Sequence, residues 1–180
     1  RAEAKILTKT LRKIRHCSSV KYGREVYLDK IWYQSTSSSS PKEFPNSSPF
    51  FPHMDTARYF KGMLYLSDVT ENHGPFTSST LNPDDFEATR HQLIKFLRHA
   101  KSSEMDFFLQ EFSHFSEADF SPITANAGSL VVFDTNTPHL AGTPRGDNTR
   151  QVVRFDLSRV GWQPGAVRKL RFLKVSVNRI

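Results

Sequence analysis

Short apolar runs alternate with polar stretches along this chain, and the pattern predicts a mainly β protein with a few helices. Runs rich in β-branched and aromatic residues predict strands at 24–33, 61–69, 129–134, 151–157 and 171–177. Turns rich in Gly and Pro separate several of these runs, as at 71–75 and 138–146. Short strands with such turns favour a two-sheet sandwich or jelly roll.

Apolar residues at helical spacing predict helices at the start and in the middle of the chain. Residues 4–16 carry a narrow apolar stripe on an otherwise basic helix. Asn82 followed by Pro83 is typical of a helix start, and a further helix is predicted from Glu104. The apolar faces of the three helices are Leu7, Leu11 and Ile14; Phe86, Leu93, Ile94 and Leu97; and Met105, Phe108, Leu109 and Phe112.

A chain of 180 residues suits one domain, which we divide into four parts. Residues 1–34 form an N-terminal helix and strand, 35–49 a loop rich in Ser and Pro, 50–157 a β core, and 158–180 a C-terminal strand region. Because the loop runs directly into the candidate site described below, we interpret it as a cover for that site.

The net charge of +7 is concentrated at the two ends of the chain. Residues 1–30 contain nine Lys or Arg and three acids, residues 145–180 nine and two, and residues 31–144 seven and thirteen. Basic ends can attract nucleic acid, anionic lipid or an anionic substrate. Nucleic acid is disfavoured because no zinc-finger spacing, RNA-binding motif or Gly-rich phosphate loop is present.

Two absences in the sequence limit the function classes further. No apolar run reaches the length of a transmembrane segment. Cys17 is the only cysteine, which excludes an internal disulfide and a cysteine-based metal site and favours a reducing, cytoplasmic location.

The candidate chemistry begins at His53 and Asp55. On a strand, residues two apart point to the same face, so this pair could bind a metal ion from one side. His139 follows the apolar run 129–134, and Arg150 follows His139 by eleven residues. Taken alone, the pair also fits a structural His at a strand end and an Asp in a turn.

In this order the motifs resemble those of the Fe(II)/2-oxoglutarate dioxygenases, in particular the phytanoyl-CoA dioxygenase-like branch. Residues 60–75 are similar to the strand and turn that follow the family's His-x-Asp motif, and residues 127–134 are similar to the strand before its distal His. The spacing from His139 to Arg150 matches the family's co-substrate arginine. The resemblance covers about residues 50–157.

The resemblance implies a double-stranded β-helix of the jelly-roll or cupin type, with a helical N-terminus and a helical insertion. It implies that His53, Asp55 and His139 bind Fe(II). It also implies that Arg150, in preference to Arg145, binds the distal carboxylate of 2-oxoglutarate. The expected reaction is hydroxylation of a small or carrier-linked substrate with release of succinate and CO2. The carboxylate at Asp55 favours a hydroxylase over a halogenase, in which a small residue stands there.

Two other functions remain open at this point. One is a non-catalytic, cupin-like binding or sensor domain, and the other is a basic module that binds nucleic acid or membrane. The basic ends favour an anionic substrate, such as a thioester of CoA or a carrier protein, but they identify neither the substrate nor the oligomeric state. Trp32, Phe76 and Trp162 are candidates for the pocket wall by aromatic character, although core packing explains them equally well.

Overall fold

A computed structural model describes residues 8, 9, 12, 13, 16, 26–39, 50–99, 112 and 116–159. The strands, numbered in chain order, are β1 (Val26–Ser37), β2 (Phe60–Tyr65), β3 (Phe76–Ser79), β4 (Phe120–Ile123), β5 (Leu130–Asp134), β6 (His139–Ala141) and β7 (Thr149–Arg159). One α-helix, α1 (Glu87–His99), follows a 3-10 turn at Pro83–Phe86. Most of the predicted helix 4–16, the helix from Glu104 and the strand 171–177 lie outside the described residues and stay predictions.

The described strands form two antiparallel sheets. The larger sheet has the order β1-β7-β2-β5, and the smaller sheet has the order β4-β3-β6. The prediction of a mainly antiparallel β protein is therefore confirmed, and two sheets are consistent with a sandwich or jelly roll. In the part of the chain that the structure describes, no helix has the length and apolar character needed to span a membrane.

Several boundaries differ from the sequence prediction. β1 continues to Ser37, three residues into the predicted loop, because Ser35, Thr36 and Ser37 pair with the first residues of β7. β2 ends at Tyr65, earlier than predicted. The sequence did not predict β3, β4 or β6, since each has only three or four residues and shows too little alternation to detect. The rest of the predicted loop, 40–49, lies outside the described residues.

The helical insertion packs behind the candidate site. The side chain of Asn82 accepts a hydrogen bond from the backbone N–H of Asp84 at 3.2 Å, as predicted for an N-cap, and α1 begins five residues after Asn82. Its buried face joins an apolar cluster that consists of Phe51, Met54, Phe86, Leu93 and Phe112. Because Phe51 and Met54 flank His53, the helix supports the segment that carries the first candidate ligands.

Successive side chains of β7 point to opposite faces of the larger sheet, one face apolar and the other polar. Phe155 and Leu157 are fully buried and pack with Phe60 of β2 in an apolar cluster. Arg150 and Arg154 point to the opposite face and line a cavity. The larger sheet therefore supplies one wall of the cavity that contains the candidate site.

Candidate metal centre

A two-residue β-bridge brings His53 and His139 together although they are 86 positions apart in the chain. Each backbone N–H donates to the other residue's carbonyl, at 3.0 Å from His53 and 2.9 Å from His139. The two imidazole rings lie 4.3 Å apart between centroids. Asp55 is held in the same way, since its N–H donates to the carbonyl of Thr135 at 3.2 Å.

Both histidines are fixed in the same tautomer. Nδ1 of His53 lies 2.9 Å from the carbonyl oxygen of Phe51, and Nδ1 of His139 lies 2.8 Å from that of Thr137. Because a carbonyl oxygen only accepts, each Nδ1 must carry the proton and each Nε2 keeps its lone pair. This arrangement prepares two imidazoles to bind a metal ion through Nε2.

The three predicted ligands converge in space. One ligand atom each from His53, Asp55 and His139 can be chosen so that all lie within 4.8 Å of one another. Oδ1 of Asp55 is 3.9 Å from Nε2 of His139. Two imidazoles and one carboxylate are the donor set of a facial triad for a divalent metal such as Fe(II). The residues present therefore fit such an ion.

The environment keeps the two imidazoles neutral. Burial lowers the pKa of His53 to about 4, although the hydrogen bond to Phe51 and the charge of Asp55 oppose the shift. Burial, reinforced by His53, also holds the pKa of His139 well below its usual value. Neutral imidazoles are the form that coordinates a metal, so protons do not compete for these ligands near neutral pH.

Asp55 is kept ionised by its neighbours. Burial alone would raise the pKa of this carboxyl group, but the ammonium group of Lys61 lowers it, and the net shift is downward. Nζ of Lys61 lies 2.6 Å from Oδ2 of Asp55. The ion pair occupies Oδ2, while Oδ1 is the oxygen nearer to His139.

The loop between β5 and β6 positions His139 through a buried polar network. Asp134 is 3% exposed and accepts from the guanidinium of Arg58 at 2.8–3.2 Å. Thr135 is fully buried and bonds through its hydroxyl group to the backbone of Tyr59 and Ala57. These contacts fix the loop before His139 against the residues that follow Asp55. The segment of His53 and Asp55 and the segment of His139 are therefore also joined outside the triad.

Arg150 is a buried cation with no carboxylate partner among the described residues. It is 4% exposed, donates to the carbonyl of Gly74, and lies 3.5 Å from the hydroxyl oxygen of Thr36. Burial lowers its pKa, as expected for a charge removed from water. A buried guanidinium without a counter-charge is a suitable partner for the carboxylate of a ligand.

The triad and Arg150 line the same cavity, which has a volume of about 430 Å³. Phe76 and Phe133 form an aromatic wall beside His139, with ring centroids 4.3 Å apart. Phe133 meets the ring of His139 edge to face at 4.9 Å. The size and lining of the cavity suit an organic ligand next to the metal.

The other candidate residues occupy different positions. Arg145 is exposed on the loop before β7 and does not line the cavity, whereas Arg150 does. Trp32 and Phe76 both line the cavity, whereas Trp162 lies outside the described residues.

Several polar residues of the cavity were missed in the sequence, and Lys61, Tyr59 and Asp156 are among them. Burial and the charge of Asp55 raise the pKa of Tyr59, and burial raises the pKa of Asp156. A lysine inside the apolar run 60–66 was the one available signal, because a charge at that place in a buried strand needs a partner. Asp156 gave no such signal, since an Asp late in a strand is ordinary.

No protein-family model matches the chain, and no curated protein matches its sequence. Solved structures do resemble it. SnoN, a non-heme alpha ketoglutarate dependent epimerase from nogalamycin biosynthesis, has a TM-score of 0.51 and 16% identity over 83% of this chain and 53% of SnoN. AviO1 from Streptomyces viridochromogenes Tue57 has a TM-score of 0.51 and 14% identity over 84% of this chain and 59% of AviO1.

HygX from Streptomyces hygroscopicus, solved with nickel and 2-oxoglutarate bound, reaches a TM-score of 0.48 at 14% identity, over 77% of this chain and 58% of HygX, which is below the level of a shared fold. The matched part of this chain spans little more than half the length of SnoN and of AviO1. The likeness to SnoN and AviO1 is one of fold, and at the level of fold it agrees with the family resemblance of the sequence.

Proposed function

We propose that the chain is an Fe(II)- and 2-oxoglutarate-dependent oxygenase built on a double-stranded β-helix. In this reaction 2-oxoglutarate and O2 are converted to succinate and CO2, and one oxygen atom is inserted into a C–H bond of the substrate. Bound Fe(II) supplies the activation of O2. The protein binds and orients the reactants and shields them from water.

The observation that carries the proposal is the combination of the triad with Arg150 in one cavity. A metal site alone fits many functions. A buried arginine without a carboxylate partner among the described residues adds a specific requirement for an anionic ligand beside the metal. 2-Oxoglutarate meets that requirement, since its two carboxylates can bind the metal and the guanidinium at the same time.

Each residue has a separate role in this proposal. His53, Asp55 and His139 would hold Fe(II) and leave other coordination positions open for 2-oxoglutarate and O2. Arg150 would bind the distal carboxylate of 2-oxoglutarate and so fix its direction in the cavity. Lys61 would hold the second oxygen of Asp55, which orients the carboxylate toward the metal.

We propose hydroxylation as the reaction type because Asp55 fills the position that a halide would need. SnoN, which shares the fold, is named as an epimerase, so removal of a hydrogen from one face of a carbon and return of a hydrogen to the other face, without oxygen insertion, is the alternative for the same centre. Analysis of a turned-over substrate separates the two, because hydroxylation adds one oxygen atom and epimerisation leaves the mass unchanged.

Succinate formation tests the proposal without knowledge of the substrate. The chain is incubated with Fe(II), ascorbate, 2-oxoglutarate and O2, and succinate is measured by mass spectrometry. We expect slow formation that requires Fe(II) and is lost in Asp55→Ala. The matched control Asp147→Ala, at an exposed loop residue, keeps the rate of the unmodified chain. Binding of 2-oxoglutarate without any succinate would instead favour the non-catalytic sensor domain.

A further inference from the structure

The cavity contains more positive than negative side chains among the described residues. Two anions line it, Asp55 and Asp156, whereas the cations that line it are Lys30, Lys61, Arg150 and Arg154. Fe(II) and the dianion of 2-oxoglutarate carry equal and opposite charges, so their binding leaves this positive excess unchanged. A further anion is needed to neutralise it.

The four cations of the cavity differ in whether they already have an assigned anionic partner. Lys61 is paired with Asp55, and Arg150 is assigned to 2-oxoglutarate by the proposed function. Lys30 and Arg154 remain on the sheet face that lines the cavity. In the register of β1 and β7, Trp32 lies opposite Arg154, and Lys30 lies opposite Asp156. Lys30, Arg154 and Trp32 therefore lie side by side, and the carboxylate of Asp156 is the one negative charge among these paired residues.

That carboxylate does not fully satisfy Arg154. Nε of Arg154 lies 3.4 Å from Oδ1 of Asp156. The two atoms are not in hydrogen-bond geometry, and both are buried without a hydrogen-bond partner among the described residues. A purely structural ion pair would be expected to close this contact, since a buried donor without an acceptor is destabilising. The side chain of Arg154 is 23% exposed and lines the cavity, so part of it can reach an additional acceptor there.

Trp32 provides an apolar surface beside these charges. The guanidinium carbon of Arg154 lies 4.3 Å from the centroid of the indole ring, and Nζ of Lys30 lies 5.6 Å from it. The tryptophan is 44% exposed, which is high for a residue that lines a cavity. A flat or aliphatic carbon skeleton on this ring would place an attached anionic group within reach of both cations.

We propose that the substrate is an organic anion whose carboxylate or phosphate group binds Arg154 and Lys30 and whose carbon skeleton packs on Trp32. The inference rests on the proposed function, because it depends on 2-oxoglutarate occupying Arg150. It narrows the substrate class to acids and phosphate esters. We expect neutral molecules of the same shape to bind more weakly, because they leave the positive excess of the cavity in place.

Trp32 also serves as the reporter in the test. The chain contains two tryptophans, so Trp162→Phe leaves Trp32 as the only one. This full-length protein is loaded with Mn(II) and saturating 2-oxoglutarate and titrated with benzoate, phenyl phosphate and the neutral benzamide. We expect a saturable change of fluorescence with the two anions and no saturable change with benzamide.

Charge variants then locate the binding group. Arg154→Gln and Lys30→Gln should each raise the Kd of phenyl phosphate at least about tenfold, the effect of losing one charged contact. Arg154→Lys should restore part of the affinity and controls for a folding defect of the neutral variant. Lys95→Gln, at an exposed position on α1, should leave the Kd unchanged. Far-ultraviolet circular dichroism confirms that each variant is folded.

The inference is overturned if benzamide binds as tightly as benzoate, or if phenyl phosphate binds equally well to wild type, Arg154→Gln and Lys30→Gln. Binding of 2-oxoglutarate is measured on the same samples. Arg154→Gln should keep that binding, whereas Arg150→Gln should lose it. If wild type fails to bind 2-oxoglutarate, the proposed function fails, and this result is distinct from a failure of the anion titration.

Discussion

Arg150 owes its position to a close crossing of two backbone segments. Its guanidinium donates to the carbonyl of Gly74, a residue with φ of 62°. The same turn packs against the chain at Gly142, whose N–H donates to the carbonyl of Pro75 at 2.9 Å. A side chain at Gly74 has no room, since an added Cβ would lie 2.6 Å from the backbone nitrogen of Pro144.

We therefore expect Gly74→Ala to be more harmful than Gly146→Ala. Both glycines have a positive φ, which costs alanine about 1 kcal/mol, but a Cβ at Gly146 meets no atom within 4 Å. The clash at Gly74 should add about 1–3 kcal/mol to the loss in the free energy of unfolding, measured by urea titration. Equal losses in the two variants would contradict the close crossing.

At the level of elements, the site depends on how the β5–β6 loop is held. The side chain of Asp134 is 1% exposed and that of Arg58 is 14% exposed, with 2.8 Å between Nη2 and Oδ2. Arg58 also contacts Asp84 at the start of the helical insertion at 2.5 Å. One guanidinium thus connects the loop before His139 to the segment that precedes α1.

Arg58→Gln should reduce the free energy of unfolding by about 3 kcal/mol, because it removes a positive charge from beside the buried carboxylate of Asp134. Adding Asp134→Asn should recover part of the loss, since a neutral amide is easier to bury than a carboxylate that has lost an ion pair. Arg145→Gln, at an exposed arginine, serves as the control and should unfold like wild type. No recovery in the double variant would argue against a buried charge as the cause.

The elements that could be predicted from the sequence are those with long or regular patterns. The Asn82 cap and the apolar run of β5 gave clear signals, and the order of His53, Asp55, His139 and Arg150, together with the family resemblance, indicated a shared site. The sequence did not reveal β6, a strand of three residues, because its existence depends on the bridge to His53 and on β3. Nor did it reveal the ion pair of Lys61, because partners distant in the chain leave no local pattern.

At the scale of the whole molecule, assembly of the site places two uncharged histidines in the interior. His53 has a pKa of about 4 in the folded protein, mainly through burial, against 6.5 for an ordinary histidine. As the pH falls, the unfolded chain therefore binds protons before the folded protein does. The free energy of unfolding therefore keeps its full value above about pH 6.5 and decreases as the pH falls toward 4.

With metal removed by EDTA, we expect the free energy of unfolding to decrease by up to about 3 kcal/mol between pH 6.5 and pH 4 through His53. His53→Gln should show a smaller decrease over this range, because the variant lacks the titrating group. His91→Gln, at an exposed helical position, should follow wild type. Parallel curves for wild type and His53→Gln would be inconsistent with a buried, neutral His53.

The central claim is that one cavity binds Fe(II) through the triad and 2-oxoglutarate through Arg150. The direct measurement is the visible charge-transfer absorption that Fe(II) and 2-oxoglutarate produce when both are bound without O2. We predict the band in wild type and in Arg145→Gln, its loss in His139→Ala, and a much higher 2-oxoglutarate concentration for half-saturation in Arg150→Gln. Absence of the band in folded wild type, or a band unchanged in His139→Ala, would contradict the claim.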